Sequence, residues 1–128
     1  MAKLRSVIEA TTDAMEAYDL GGATEQISSF LDALNNWYIR RSRDRFWGPD
    51  MSEDKTQAFD TLYTVLINFL KISAPFLPMI TEEIYTNLTG ETSVHLTDWP
   101  NPEDFPSDPD LVANMDRCLL YTSDAADE

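Results

Sequence analysis

The sequence is short of residues that do chemistry. Of its 128 residues, one is cysteine (Cys118) and one is histidine (His95). A single cysteine allows no internal disulfide, which suits a reducing compartment. A single histidine excludes a histidine-rich metal site. Nothing in the sequence brings His95 to Cys118 as a base to a nucleophile, so a small hydrolase would need a pocket that is not expected here. Glycine occurs only four times, and Gly21-Gly22 has neither the spacing nor the lysine of a phosphate loop. Glu82 and Glu83 are adjacent, so on a helix they point to different sides. They read as solvated residues, not as an acid/base pair. No catalytic residue, metal site or cofactor site is expected in the chain.

Long apolar runs are also missing. The most apolar window, Leu62 to Ile80, is interrupted by Asn68, Lys71, Ser73, Pro75 and Pro78. It reads as a buried helix followed by a turn, not as a membrane span. No apolar signal core follows Met1-Ala2-Lys3-Leu4-Arg5, and Asn87-Leu88-Thr89 is a glycosylation sequon in form only. The expected location is therefore cytoplasmic. Basic residues are few as well, nine against 23 acidic, for a net charge of −14. Residues 1–100 hold 15 acidic and 8 basic side chains, and residues 101–128 hold 8 and 1, so each part carries −7. A chain this acidic lacks the broad basic footprint of a free-standing RNA binder, which leaves room only for a small basic patch.

What is present is helical periodicity. Residues 3–18 form a first expected helix, with Leu4, Ile8, Met15 and Tyr18 near one face and Val7 and Thr11 beside them. Gly21-Gly22 marks a turn or junction. A second, long helix is expected over 23–46, with Ile27, Phe30, Leu31, Leu34 and Trp37 or Tyr38 at 3,4 spacing, stopped by Gly48-Pro49. Asp50 or Ser52 is placed to cap a third helix over 53–73. Phe59, Leu62, Tyr63, Leu66, Phe69 and Leu70 form its stripe, broadened by Val65, Ile67 and Ile72, and Phe59, Tyr63, Phe69 and Phe76 read as core aromatics. Pro78 suits the first turn of a fourth helix whose apolar face is Met79, Ile80, Ile84 and Leu88, ending at Gly90. Residues 93–99 could be a short extended segment. Pro100, Pro102, Pro106 and Pro109 then exclude a regular helix over 100–109. They imply an irregular strap anchored by Trp99 and Phe105, after which Leu111 could begin a further helix. The expected fold is an all-α antiparallel bundle of about four main helices, bundle over 3–90 and strap over 91–110.

One cluster concentrates the positive charge. Arg40, Arg41, Arg43 and Arg45 fall within six positions, inside Trp37-Tyr38-Ile39-Arg40-Arg41-Ser42-Arg43-Asp44-Arg45-Phe46-Trp47. Arginine forks suit phosphate oxygens and stack on bases. At about 100° per residue the four would spread over roughly 200° of one helix, so at most two or three can face one partner. The alternative is that they solvate a helix end and complement its negative dipole end. Trp37 and Trp47 read first as core or interface anchors, not as base-stacking platforms.

The segment Asn36–Trp47 resembles the stretch that marks the anticodon-binding domain of class I aminoacyl-tRNA synthetases, closest to the isoleucyl enzyme. The resemblance continues in order through Ala58-Phe59-Asp60-Thr61-Leu62-Tyr63, Ala74-Pro75-Phe76-Leu77-Pro78, Thr81-Glu82-Glu83-Ile84-Tyr85 and Ser93-Val94-His95-Leu96-Thr97-Asp98-Trp99-Pro100. Valyl- and leucyl-tRNA synthetases share the proline turn and the Glu-Glu helix, whereas Trp-Tyr-Ile-Arg-Arg-Ser-Arg points to the isoleucine enzyme. The resemblance implies a non-catalytic, tRNA-binding helical domain of a parent ATP- and magnesium-dependent isoleucine–tRNA ligase, packed on the parent's catalytic domain and not expected to oligomerise. Arg40, Arg41, Arg43 and Arg45 match basic positions of the family segment, and with Trp47 they are the candidate tRNA contacts, the neighbouring domain being the other partner open to them. The catalytic signatures of that family, His-Ile-Gly-His-like and Lys-Met-Ser-Lys-Ser-like, are absent. From Cys118 the sequence departs from the family and resembles translated sequencing-adapter read-through, so the domain is expected to end at 117 and 118–128 to be non-native and poorly ordered. The alternatives are the corresponding valyl or leucyl domain, or a protein-interaction bundle with no RNA role.

Overall fold

The computed structural model describes residues 1–49 and 52–127, with the side chains of 119 and 122–127 outside that description. Among these residues every regular element is helical. The first helix, α1 (Ala2–Glu16), ends two residues earlier than the periodicity suggests. Tyr18, expected on the core face, adopts φ 58 and is 91% exposed. It turns the chain so that Asp19 can cap α2 (Leu20–Ala33), its carboxylate accepting from Gly22 N–H at 3.0 Å. The two glycines thus lie inside the first turn of α2, not before it. A Cβ on Gly22 would crowd the Asp19 carboxylate that makes this cap, so a larger residue there would push the carboxylate aside.

The expected long second helix is three pieces. After α2 the ladder widens into a π turn (Leu34–Ile39), breaks at Ser42, and resumes as the short α3 (Arg43–Trp47). The wider turn leaves Trp37, Tyr38 and Ile39 all partly buried. Beyond it, Ser42 and Phe46 are buried four positions apart, so α3 sits on the bundle through that one line.

α4 (Glu53–Ser73) matches its expected span, and Ser52 caps it by accepting from Lys55 N–H at 3.2 Å. The other candidate cap, Asp50, lies outside the described residues. Leu4, Val7 and Ile8 of α1, Ile27, Phe30 and Leu34, and Val65, Phe69 and Ile72 of α4 form the main core. Each fully buried Leu or Ile among them contributes about 1.5–3 kcal/mol. Two of the expected core aromatics are peripheral instead: Phe59 and Tyr63 are 43% and 44% exposed. Phe59 still packs edge-on to Phe46, with centroids 5.0 Å apart.

α5 (Pro78–Thr89) starts on its proline and stops at Gly90, whose φ of 74 is the left-handed cap expected of it. Its buried face is not the expected one. Thr81 and Tyr85 face inward, whereas Met79, Ile80, Ile84 and Leu88 are 87%, 54%, 43% and 39% exposed. The reason is the second small core of Leu70, Ala74, Tyr85 and Val94, which takes the large phenol instead of the aliphatic stripe. Residues 93–99 form a 3₁₀ turn (Val94–Leu96) instead of an extended segment. Glu82, read as solvated, fastens it by accepting from Ser93 Oγ and Val94 N–H, both at 2.9 Å. The strap then crosses α1. Trp99 Nε1 donates to Thr12 Oγ1 at 2.9 Å, Phe105 packs on the main core, and Arg5 donates to its carbonyl at 2.9 Å.

The last helix, α6 (Pro109–Asp127), returns to α1 through the Lys3–Asp116 ion pair at 3.0 Å. Its backbone is helical through Asp127. No glycine or proline follows Pro109 to stop it. The final turns nevertheless leave Leu120 and Tyr121 64% and 68% exposed, while the side chain of Leu119 and all of Glu128 lie outside the described residues.

Candidate nucleic-acid interface

The four arginines are divided by the break at Ser42. Arg40 and Arg41 end the π-widened helix, and Arg43 and Arg45 lie in α3. Because Ser42 and Phe46 point inward, the neighbouring positions are turned outward. Arg40, Arg41 and Arg43 are exposed and form no ion pair among the described residues. Arg45 differs. Its Nε donates to Asp54 Oδ2 at 2.9 Å and its Nη2 to the Asp54 carbonyl at 3.3 Å. That hydrogen bond, with the Asp54 charge behind it, raises the guanidinium pKa above its ordinary value. Lys55 Nζ donates to the Gly48 carbonyl at 2.7 Å, so a second cation is spent closing the same junction between α3 and α4.

Trp47 ends α3 with 68% of its surface exposed, and the Arg43 guanidinium carbon lies 5.8 Å from the ring centroid. A cation over an exposed indole makes a flat, positively charged platform, the arrangement that accepts an unstacked base or a phosphate. Trp47 is therefore no core anchor. Trp37 is partly buried, and Tyr38 ties the π turn down by donating from its hydroxyl to the Ala58 carbonyl at 3.3 Å. The structure thus brings Arg40, Arg41, Arg43 and Trp47 to the surface and removes Arg45 into an intramolecular pair. Only Asp54, nine positions on, could have revealed the latter from sequence, and spacing across a loop carries no such signal. His95 belongs to the strap: its Nε2 lies 3.1 Å from the Pro78 carbonyl and 3.6 Å from Glu82. Among the described residues no helix is long and apolar enough to cross a membrane.

The model of the family described as "Anticodon-binding domain of tRNA ligase" matches residues 1–120, and the chain belongs to that family. It is similar to isoleucine–tRNA ligases: 53% identical over 117 residues, or 91% of the chain, to that of Corynebacterium efficiens. It is 49% identical over 126 residues, or 98% of the chain, to that of Leifsonia xyli subsp. xyli, and 51% identical over 117 residues to that of Mycobacterium tuberculosis H37Rv. The chain spans 11% of the length of each of these relatives and corresponds to their non-catalytic anticodon-binding portion.

Proposed function

We propose that this chain is the tRNA-binding helical domain of an isoleucine–tRNA ligase, which works in the cytoplasm with ATP and magnesium handled by the parent's catalytic domain. Isoleucine is favoured over valine or leucine by the relatives, which are isoleucine–tRNA ligases at about half identity along nearly the whole chain. RNA contact falls to Arg40, Arg41, Arg43 and Trp47, while Arg45 holds α3 against α4. The observation that carries this reading is the exposed, unpaired arginine cluster on a chain whose other surface is acidic. The functional unit is residues 1–117, with 118–128 outside it.

A gel shift with isoleucine tRNA at several salt concentrations tests this. Each phosphate neutralised contributes about 0.7–0.9 to the slope of log K against log salt. Replacing Arg40, Arg41 and Arg43 together by Ala is expected to lower that slope by about two and to weaken binding more than ten-fold at low salt. Unchanged binding by a folded triple variant would refute the assignment of these residues. No binding by the folded wild-type chain even at low salt would refute RNA binding by the isolated domain and favour a protein-interaction bundle.

A further inference from the structure

An apolar cleft of about 250 Å³ opens where α1, the end of α2 with its π turn, α4 and the start of α6 meet. Met1, Phe30, Leu34, Trp37, Val65 and Val112 line it. Two features mark it as a socket. It is apolar and open, so its walls lack the dispersion contacts of a packed interior. Trp37 Nε1 is buried without a hydrogen-bond partner, which a folded protein rarely tolerates. Met1 stands at its rim, 40% exposed.

We propose that in the parent polypeptide the residues just before this domain lie in the cleft, an apolar side chain filling it and a backbone carbonyl accepting from Trp37 Nε1. The inference rests on reading the chain as one domain of a longer tRNA ligase. The relatives supply the room for such an occupant, since the chain spans 11% of their length. A second copy would need a patch of about 800 Å² per partner for a stable dimer, which is far more than one cleft of this volume presents. A tethered segment needs far less, because a short linker gives an effective concentration of about millimolar. RNA does not suit the lining, whose one basic side chain, Lys3, is already paired with Asp116.

The test is thiol accessibility of Ala33→Cys, on the cleft wall, in the parent polypeptide and in the 128-residue chain, followed peptide by peptide with maleimide and mass spectrometry. Asn35→Cys, at an exposed position of the π turn, is the control. We expect Ala33→Cys to label about ten-fold more slowly in the parent, as a position reached only on local opening does, while Asn35→Cys labels equally in both. Adding Trp37→Phe, which keeps an aromatic ring but removes the N–H, should recover several-fold of that loss in the parent. Equal Ala33→Cys rates in the two proteins overturn the proposal. So does slowing of the 128-residue chain with rising concentration, which would give the cleft to a second copy. Slowing that Trp37→Phe leaves untouched overturns the carbonyl contact. None of these readouts uses tRNA, so a parent that fails to charge isoleucine tRNA would remove the proposed function and leave this result standing.

Discussion

Arg43 and Arg45 are two positions apart and have opposite fates, because the inward line of Ser42 and Phe46 sends one toward solvent and the other toward α4. Arg45 is fixed by Asp54, and Arg43 by nothing but the face of Trp47. Composition cannot separate them; only the partner can. Tyr85 is a similar case. It is 3% exposed and donates to Glu91 at 2.9 Å, and burial first, then that hydrogen bond, raises its pKa above the ordinary 10.0. A phenol with a raised folded-state pKa stays protonated where the unfolded chain has already lost its proton. Stability is therefore fully present below pH 10 and falls as pH rises from there through the folded-state value. Urea unfolding across pH 8–11 should show this loss, and Tyr85→Phe should flatten the part of it that belongs to Tyr85. A Tyr85→Phe variant with the same alkaline decline as wild type would remove Tyr85 as a source.

At the scale of elements, the sequence is informative where a backbone rule applies. Pro78, Ser52 and Gly90 marked helix ends that the structure has, because each end depends on a local constraint: a missing N–H, a hydroxyl acceptor, a positive φ. Replacing Gly90 by Ala should therefore destabilise the chain by about 1 kcal/mol, since nothing within 4 Å opposes a Cβ and the cost is only the left-handed backbone. Thermal unfolding reads this directly, and an unchanged midpoint would show that the C-terminus of α5 frays at no cost. Which face of α5 is buried was not legible. Ile80, Ile84 and Leu88 make the better apolar stripe, yet Tyr85 wins because Val94 and Leu70 are there to receive it. The π turn was equally hidden, since no residue type marks an extra residue per turn. Without it, Arg40 to Arg45 read as one helix with splayed charges, when the chain in fact breaks at Ser42 and regroups them.

For the whole molecule, the question is how an acidic body presents a cationic corner and where the working unit ends. The contacts that anchor residues 1–116 include α1 against α2 and α4, Trp99 on Thr12, Phe105 on the core and Lys3 on Asp116. Beyond Arg117 the chain adds Asp124, Asp127 and Glu128, three negative charges and no basic one. Leu120 and Tyr121, the large apolar residues described there, are mostly exposed. The family model nevertheless reaches residue 120, and the Leifsonia relative aligns over 98% of the chain, so similarity alone does not place the boundary at 117. A chain ending at Arg117 should keep its thermal midpoint within the range of an ordinary surface change, about 0.5 kcal/mol. It should also bind tRNA slightly better at low salt, because three like charges no longer repel the phosphates, and that gain should vanish as salt screens it. Side-by-side melting and gel shifts of the two lengths decide it. A clear loss of stability on truncation would mean that the last turns of α6 pack on the bundle, and the functional unit would then run past 117.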